Sequence, residues 1–204
     1  MHCLLNRYVK RKKFFFERHV ALSNNNKEVR FLNKKVNNSL IKRIKNLNLT
    51  LKEGVIEYPL IAIEFLENIA KKINEFDGAL LTFDYGYTTQ KNQSTLQSIK
   101  KHRYTSLLSL KHKSDITSHL NFKLFQEILI KNNLNVEKIT TQSEFLKKIG
   151  ILERANILSK KMTFKEKANM FYRLKRLTDY KEMGSIFKVL LAKKKGRKFS
   201  LGFK

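Results

Sequence analysis

The sequence predicts an α/β fold: an open sheet flanked by helices, preceded by an antiparallel β meander. Three observations carry this. Residues 8–32 are rich in β-formers with little helical period. Residues 60–84 read as amphipathic helix, glycine turn and apolar strand in immediate succession. The second half then alternates between helical and strand-like segments, as layered α/β proteins do.

The elements follow in order. Tyr8-Val9-Lys10 and Phe14 to Val20 are strands, Asn24-Asn25-Asn26 a turn, and Val29 to Leu32 a return strand. Leu40, Ile41, Ile44 and Leu47 have helical spacing. Gly54 to Tyr58 is a short extended piece ended by Pro59, whose missing N–H suits the first turn of a helix. That helix carries Ala62, Phe65, Leu66, Ile69, Ile73 and Phe76 on one face and stops near Asp77-Gly78. Ala79 to Asp84 is a nearly continuous apolar run closed by an acid, the pattern of a parallel strand buried on both faces. In an open sheet, ligands sit outside the carboxyl ends of such strands.

Thr95 to Lys101 reads as a short strand. Asn121 suits the N-cap of a helix over Phe122 to Lys131, and Val136 to Thr140 is a strand. Thr141 with Glu144 is a capping box opening a helix through Ile149, which Gly150 can close. Thr163 with Glu166 is a second, opening a helix to about Leu177. Ile186 to Ala192 is the last strand, and residues 193–204 form a basic, frayed tail. The chain thus divides into a meander with linker helix (1–52), an α/β part (53–192) and the tail.

At 204 residues the chain is long enough for one domain with a real core. With 42% hydrophobic residues, 15 Phe and 7 Tyr, it has ample surface to bury, which excludes long disorder. No apolar run approaches the ~18–20 residues of a membrane span. Met1 to Leu5 meets charge at Arg7 and Lys10 to Lys13, the reverse of a secretory signal. Cys3 stands alone, so an internal disulfide and a cysteine zinc cluster are excluded. A bacterial cytoplasm is the expected compartment, with the mitochondrial matrix as the eukaryotic alternative.

The formal charge of +26 invites a nucleic-acid reading. Of the 43 basic residues, however, only 10 are arginine, and 18 asparagines accompany them. That is the composition of an AT-rich coding sequence. Lysine alone gives a nonspecific, salt-sensitive attraction, and arginine, which makes bidentate phosphate and guanine contacts, is not enriched. The composition argues against a dedicated nucleic-acid surface, and a lysine-rich nonspecific binder is the weaker alternative.

No Walker A loop, GxGxxG or GxSxG occurs, and no pair among His2, His19, His102, His112 and His119 has zinc-helix spacing. No metal is therefore expected. Two polar clusters remain. Asp84-Tyr85-Gly86-Tyr87 lies just past the carboxyl end of the apolar strand, where an acid and phenols can hydrogen-bond a ligand. Asp115-Ile116-Thr117-Ser118-His119-Leu120-Asn121-Phe122 precedes a helix. Spacing leaves two readings open: ligand contacts, or a strand-end turn and simple capping.

These clusters belong to a longer series. Phe16-Glu17-Arg18, Glu57-Tyr58-Pro59, Gly78 through Tyr87, Thr95-Leu96-Gln97 with His102, and Asp115 through Phe122 run in order. Thr141-Gln142 with Phe145-Leu146, Gly150-Ile151 and Arg154 follow, then Arg176-Leu177, Met183-Gly184 and Phe187 to Leu190. Together they resemble the MidA-type class I S-adenosylmethionine-dependent methyltransferases, a family that includes a mitochondrial complex I assembly factor acting on a protein arginine. Tyr58 stands where the family has serine, and Asn121 where it has aspartate.

The resemblance implies a Rossmann-like class I methyltransferase sheet of which this chain is the C-terminal part. The family's Glu-Leu-Gly-Pro-Gly-Arg-Gly turn and its later Asn-Glu-Phe segment are absent, so no cofactor-binding residue is assigned. It further implies S-adenosylmethionine as cofactor and a protein acceptor, by family analogy a respiratory complex I subunit. Asp84, Tyr85, Tyr87, Asp115 and His119 are the candidate catalytic residues. The chain is then a truncated enzyme, an inactive remnant, or a half needing a separately encoded N-terminal partner.

Overall fold

The structure is a computed structural model that describes residues 6–23, 28–47, 52–89, 91–108 and 114–203. Its elements are β1 (Arg7–Arg11), β2 (Phe14–Leu22), β3 (Val29–Lys35), α1 (Asn38–Lys45), β4 (Gly54–Glu57), α2 (Leu60–Phe76) and β5 (Ala79–Tyr87). Then follow β6 (Gln97–Lys100), β7 (Arg103–Thr105), β8 (Asp115–Thr117), β9 (Leu120–Asn121), α3 (Phe122–Lys131), β10 (Leu134–Val136) and β11 (Thr140–Thr141). Last come α4 (Gln142–Lys148), α5 (Ile151–Ser159), α6 (Phe164–Thr178), α7 (Met183–Ile186) and β12 (Phe187–Lys194). They fall into two compact units, Met1–Leu66 with Thr89–Glu127, and Glu67–Thr88 with Ile128–Lys204. The expected asparagine turn at 24–26 lies outside the described residues.

In the first unit the expected meander is an antiparallel sheet ordered β3-β2-β1-β4. The Gly54–Glu57 piece is its fourth strand, so the meander extends past residue 52 and takes its last strand from beyond α1. Gly54 is required there. Its φ is +123°, and a Cβ would fall 2.0 Å from the carbonyl oxygen of Asn92. One sheet face buries Tyr8, Phe15 and Ile56, with Tyr8 edge-on to Tyr58 at 6.5 Å. A smaller antiparallel sheet, β7-β6-β8, was not expected beyond its first strand. Its strands β7 and β8 are three residues each, too short to show a period.

In the second unit β12 is central, pairing antiparallel with β5 on one side and with β10 and β11 on the other. Val189, Leu190, Leu191 and Ala192 are all buried, so the continuous apolar run that marks a doubly covered strand is here. The expectation for Ala79 to Asp84 needs correction. Its pairing with β12 is antiparallel, and Leu81 and Phe83 are 48% and 40% exposed. An apolar run cannot by itself distinguish two covered faces from one covered and one bare.

Other corrections are local. The buried face of α2 is Ile63, Leu66, Ala70 and Ile73, rotated from the expected stripe, and Phe65 and Phe76 are exposed. The strand expected over 136–140 is two short strands, β10 and β11, on either side of a break. Both capping boxes form: the Thr141 and Thr163 hydroxyls accept from the backbone of Glu144 and Glu166, whose carboxylates reach back. Gly150, in the left-handed region at φ +83°, starts α5 immediately after α4, where the sequence suggested only an end. The tail is docked, not frayed. Arg197 pairs with Asp77, and Phe203 packs edge-on to Phe145 at 5.4 Å.

Candidate functional site

The two expected clusters lie on different units: Asp84, Tyr85 and Tyr87 on the second, Asp115 and His119 on the first. β5 runs on through Tyr87, so Asp84 lies inside the strand and not past its end. Its Oδ1 accepts from the Tyr85 N–H at 2.8 Å, and Lys188 stands opposite it in the register. Tyr85 packs edge-on to Phe187 at 5.8 Å, while Tyr87 is buried. Alternation puts Tyr85 and Tyr87 on one sheet face and Asp84 on the other.

In the first unit Asp115 is exposed at the start of β8. Asn121, in the position where the resembled family has aspartate, is buried, and its Oδ1 accepts from the Leu124 N–H at 3.1 Å. That is the capping role, and the amide oxygen performs it as a carboxylate would. The His119 backbone N–H donates to the Thr95 hydroxyl at 3.0 Å.

This last contact leads to a polar centre that sequence reasoning missed. Thr95 donates its N–H to Glu57 Oε1 at 2.8 Å and its hydroxyl to Glu57 Oε2 at 2.7 Å. Glu57 is only 3% exposed, and Arg7, 6% exposed, stands opposite it in the β1–β4 register. Burial, first, and then the charge of Arg18 pull the Arg7 guanidinium below its ordinary pKa, and Glu57 opposes them. Asn6 ties in the neighbouring carboxylate, donating to Glu17 Oε1 at 3.1 Å, and His19 approaches Glu17 Oε2 at 3.2 Å. Tyr8, opposite Glu17, has its hydroxyl pKa pushed well up, first by burial and then by that carboxylate. Glu17, Arg18, Glu57, Thr95 and His119 each belong to a different or adjacent piece of the series described above, and the fold gathers them in one unit. No local pattern marked them: Arg7, Glu57 and Thr95 are far apart in the sequence and meet only through the β1–β4 pairing and the Thr95 hydrogen bonds.

Comparison with known proteins decides the family. Residues 5–140 match the family described as "Putative S-adenosyl-L-methionine-dependent methyltransferase". The chain belongs to this family. The mitochondrial protein arginine methyltransferase NDUFAF7 of Xenopus tropicalis is 29% identical over 100 residues, 49% of this chain and 23% of that protein. Two solved structures from Burkholderia thailandensis share the fold. An uncharacterized protein aligns at TM-score 0.75 and 22% identity over 96% of this chain. A "likely methyl transferase" bound to S-adenosyl-homocysteine aligns at 0.72 and 22% identity over 98%. This chain spans 53% and 51% of those two chains.

The family's cofactor is S-adenosylmethionine, and the crowded glycines of this chain are filled by its own atoms rather than left open as a cradle for it. Its phosphate-free nucleoside still needs close backbone approach, which glycines provide. The glycines whose surroundings are crowded serve packing: Gly54 against Asn92, Gly184 against the carbonyls of Thr178 and Asp179, Gly202 against the Phe145 ring. Among the described residues no group of three or more His, Cys, Asp or Glu is placed to hold a metal ion, and no helix is long and apolar enough to cross a membrane.

Proposed function

We propose that the chain is the acceptor-binding part of an S-adenosylmethionine-dependent methyltransferase acting on a protein arginine. The remaining part of the fold, on the same polypeptide or another, carries the glycine-rich cofactor turn, and this chain corresponds to the C-terminal half. The observation that carries the reading is the family match over residues 5–140 together with the gathering of its separated polar segments around Glu57. The name of the Xenopus relative supports arginine as acceptor, and the resemblance suggests a respiratory complex I subunit as the protein that bears it.

The work of this chain is binding and orientation. A guanidinium is planar and is held best by carboxylates that accept two parallel N–H bonds. Asp84 on the second unit and Asp115 on the first are the candidate acids, each to be tested on its own, and Tyr85, Tyr87 and His119 are the further candidate residues. Glu57, which accepts from both the N–H and the hydroxyl of Thr95, is a positioning residue: it orients the Thr95 hydroxyl, whose oxygen accepts from the His119 backbone N–H.

The test is transfer of labelled methyl groups after this chain is combined with the N-terminal half of a related enzyme. Asp84→Asn and Asp115→Asn should each reduce transfer roughly tenfold to a hundredfold, the loss of one charged hydrogen bond, with the thermal midpoint unchanged. Undiminished transfer in both variants removes these acids from the site. The isolated chain should bind no S-adenosylmethionine by calorimetry, and saturable micromolar binding overturns the division between halves.

A further inference from the structure

The four-stranded sheet carries a second charged feature that the arginine-acceptor reading does not use. Arg7 and Arg18 lie over the same ring: their guanidinium carbons are 5.1 and 5.3 Å from the centroid of Phe31. Strand register explains the meeting. Arg7 and Val9 share a sheet face with Phe16 and Arg18 across β1–β2, and Phe31 joins them from β3, opposite Val20. Two like charges are thus held together on one half-buried aromatic floor.

The compensation there is incomplete. Glu57 is the carboxylate opposite Arg7, and both its oxygens already accept from Thr95. Arg7 reaches the Ser94 hydroxyl at 3.4 Å, a long bond. The Arg18 Nε is buried and has no hydrogen-bond partner among the described residues. A buried donor without a partner costs about 1–3 kcal/mol, and more when it is charged. Among the described residues, two guanidiniums against one carboxylate leave a single surplus positive charge. Cation–π contact with Phe31 offsets part of this, but an aromatic face satisfies no N–H in the guanidinium plane.

We propose that Arg7 and Arg18 form a carboxylate-binding site with Phe31 as its floor. The single surplus charge matches a monoanion, and the in-plane Nε–H and Nη–H groups of Arg18 match the two oxygens of a carboxylate as a fork. Such a carboxylate comes either from an acidic side chain of a polypeptide or from the α-carboxylate of an amino-acid-like small molecule. The chemistry is shared, and the sources are separable by experiment.

The measurement is the NMR shift of the arginine Nε–H cross-peaks of the full chain, titrated with sodium acetate against sodium chloride at equal ionic strength. Acetate should move the Arg7 and Arg18 peaks saturably and chloride should not. In Arg18→Lys, which keeps the charge and loses the fork, the Arg7 peak should respond at least several-fold more weakly. In Arg18→Gln it should not respond, and the anion-free melting temperature should stay level or rise, because one of two like charges is gone. A blocked acetyl-Gly-Glu-Gly-amide peptide binding more tightly than acetate assigns the site to polypeptide, and free methionine binding more tightly assigns it to a small molecule. Acetate acting no more strongly than chloride overturns the site. So does a melting temperature that falls in Arg18→Gln while the anion response persists, which makes Arg18 a packing residue.

Discussion

The two units hold charge in opposite ways. In the first unit, Arg7 and Glu57 are withdrawn from water and are answered by partners far along the chain, Ser94 and Thr95. On β5 of the second unit, Asp84 accepts from the very next residue and sits in a strand with exposed neighbours. A buried charge binds distant segments together, because each missing partner costs more than surface geometry does. A half-exposed charge organises only its own neighbourhood.

This contrast can be broken by mutation, most strongly at Glu57. Glu57→Ala leaves Arg7 buried opposite an apolar gap and should cost about 3–5 kcal/mol, the loss seen when one partner of a buried pair is removed. Urea unfolding measures it, and a change below about 1 kcal/mol would equate the buried centre with a surface pair. A smaller effect is expected in the second unit at Gly184→Ala. The new Cβ would meet the carbonyl oxygens of Thr178 and Asp179 at 2.6 Å, so the turn between α6 and α7 must open, at about 1–3 kcal/mol. An unchanged thermal midpoint would show that this turn yields freely.

Smaller again is Thr163→Ala, which removes the cap of α6 and should cost about 1 kcal/mol, read as a drop in thermal midpoint. The smallest effect is in pH. The Glu144 carboxyl is held below its ordinary pKa, first by the Thr140 hydroxyl and then by the Thr141 N–H, against a weaker opposing push from burial. A depressed carboxylate contributes stability above its unfolded pKa and loses it as pH falls through the folded one. Amide exchange in α4 should therefore quicken below the usual carboxylate range in the native chain, and Glu144→Gln should abolish that dependence.

The sequence showed most where structure is local. Capping boxes at Thr141 and Thr163, the cap at Asn121, the helix after Pro59 and the first two strands are set by residues within a few positions of one another. Coverage was not legible. The apolar content of Ala79–Phe83 and of Val189–Ala192 is similar, yet only the second has both faces buried, because that depends on what packs above and below. The Asp84 and Asp115 clusters could be singled out by composition, whereas the Glu57 centre needed β1, β4 and the Thr95 segment to meet across long separations.

The strand pairing of the second unit has a consequence for synthesis. β5 finds its partner β12 only after about 100 further residues have left the ribosome, some 5–20 s at ordinary elongation rates. The meander, by contrast, joins neighbours separated by short turns, and its first three strands can close as they emerge. During the interval Leu80 to Phe83 is an apolar segment without its β12 partner, the kind of exposed strand edge that invites aggregation. The Arg197–Asp77 clasp, spanning 120 residues, forms only after β12 has been made and follows the end of that exposure. Translational pausing between the codons of β5 and β12 would lengthen the vulnerable interval, and fast decoding of the same stretch would shorten it.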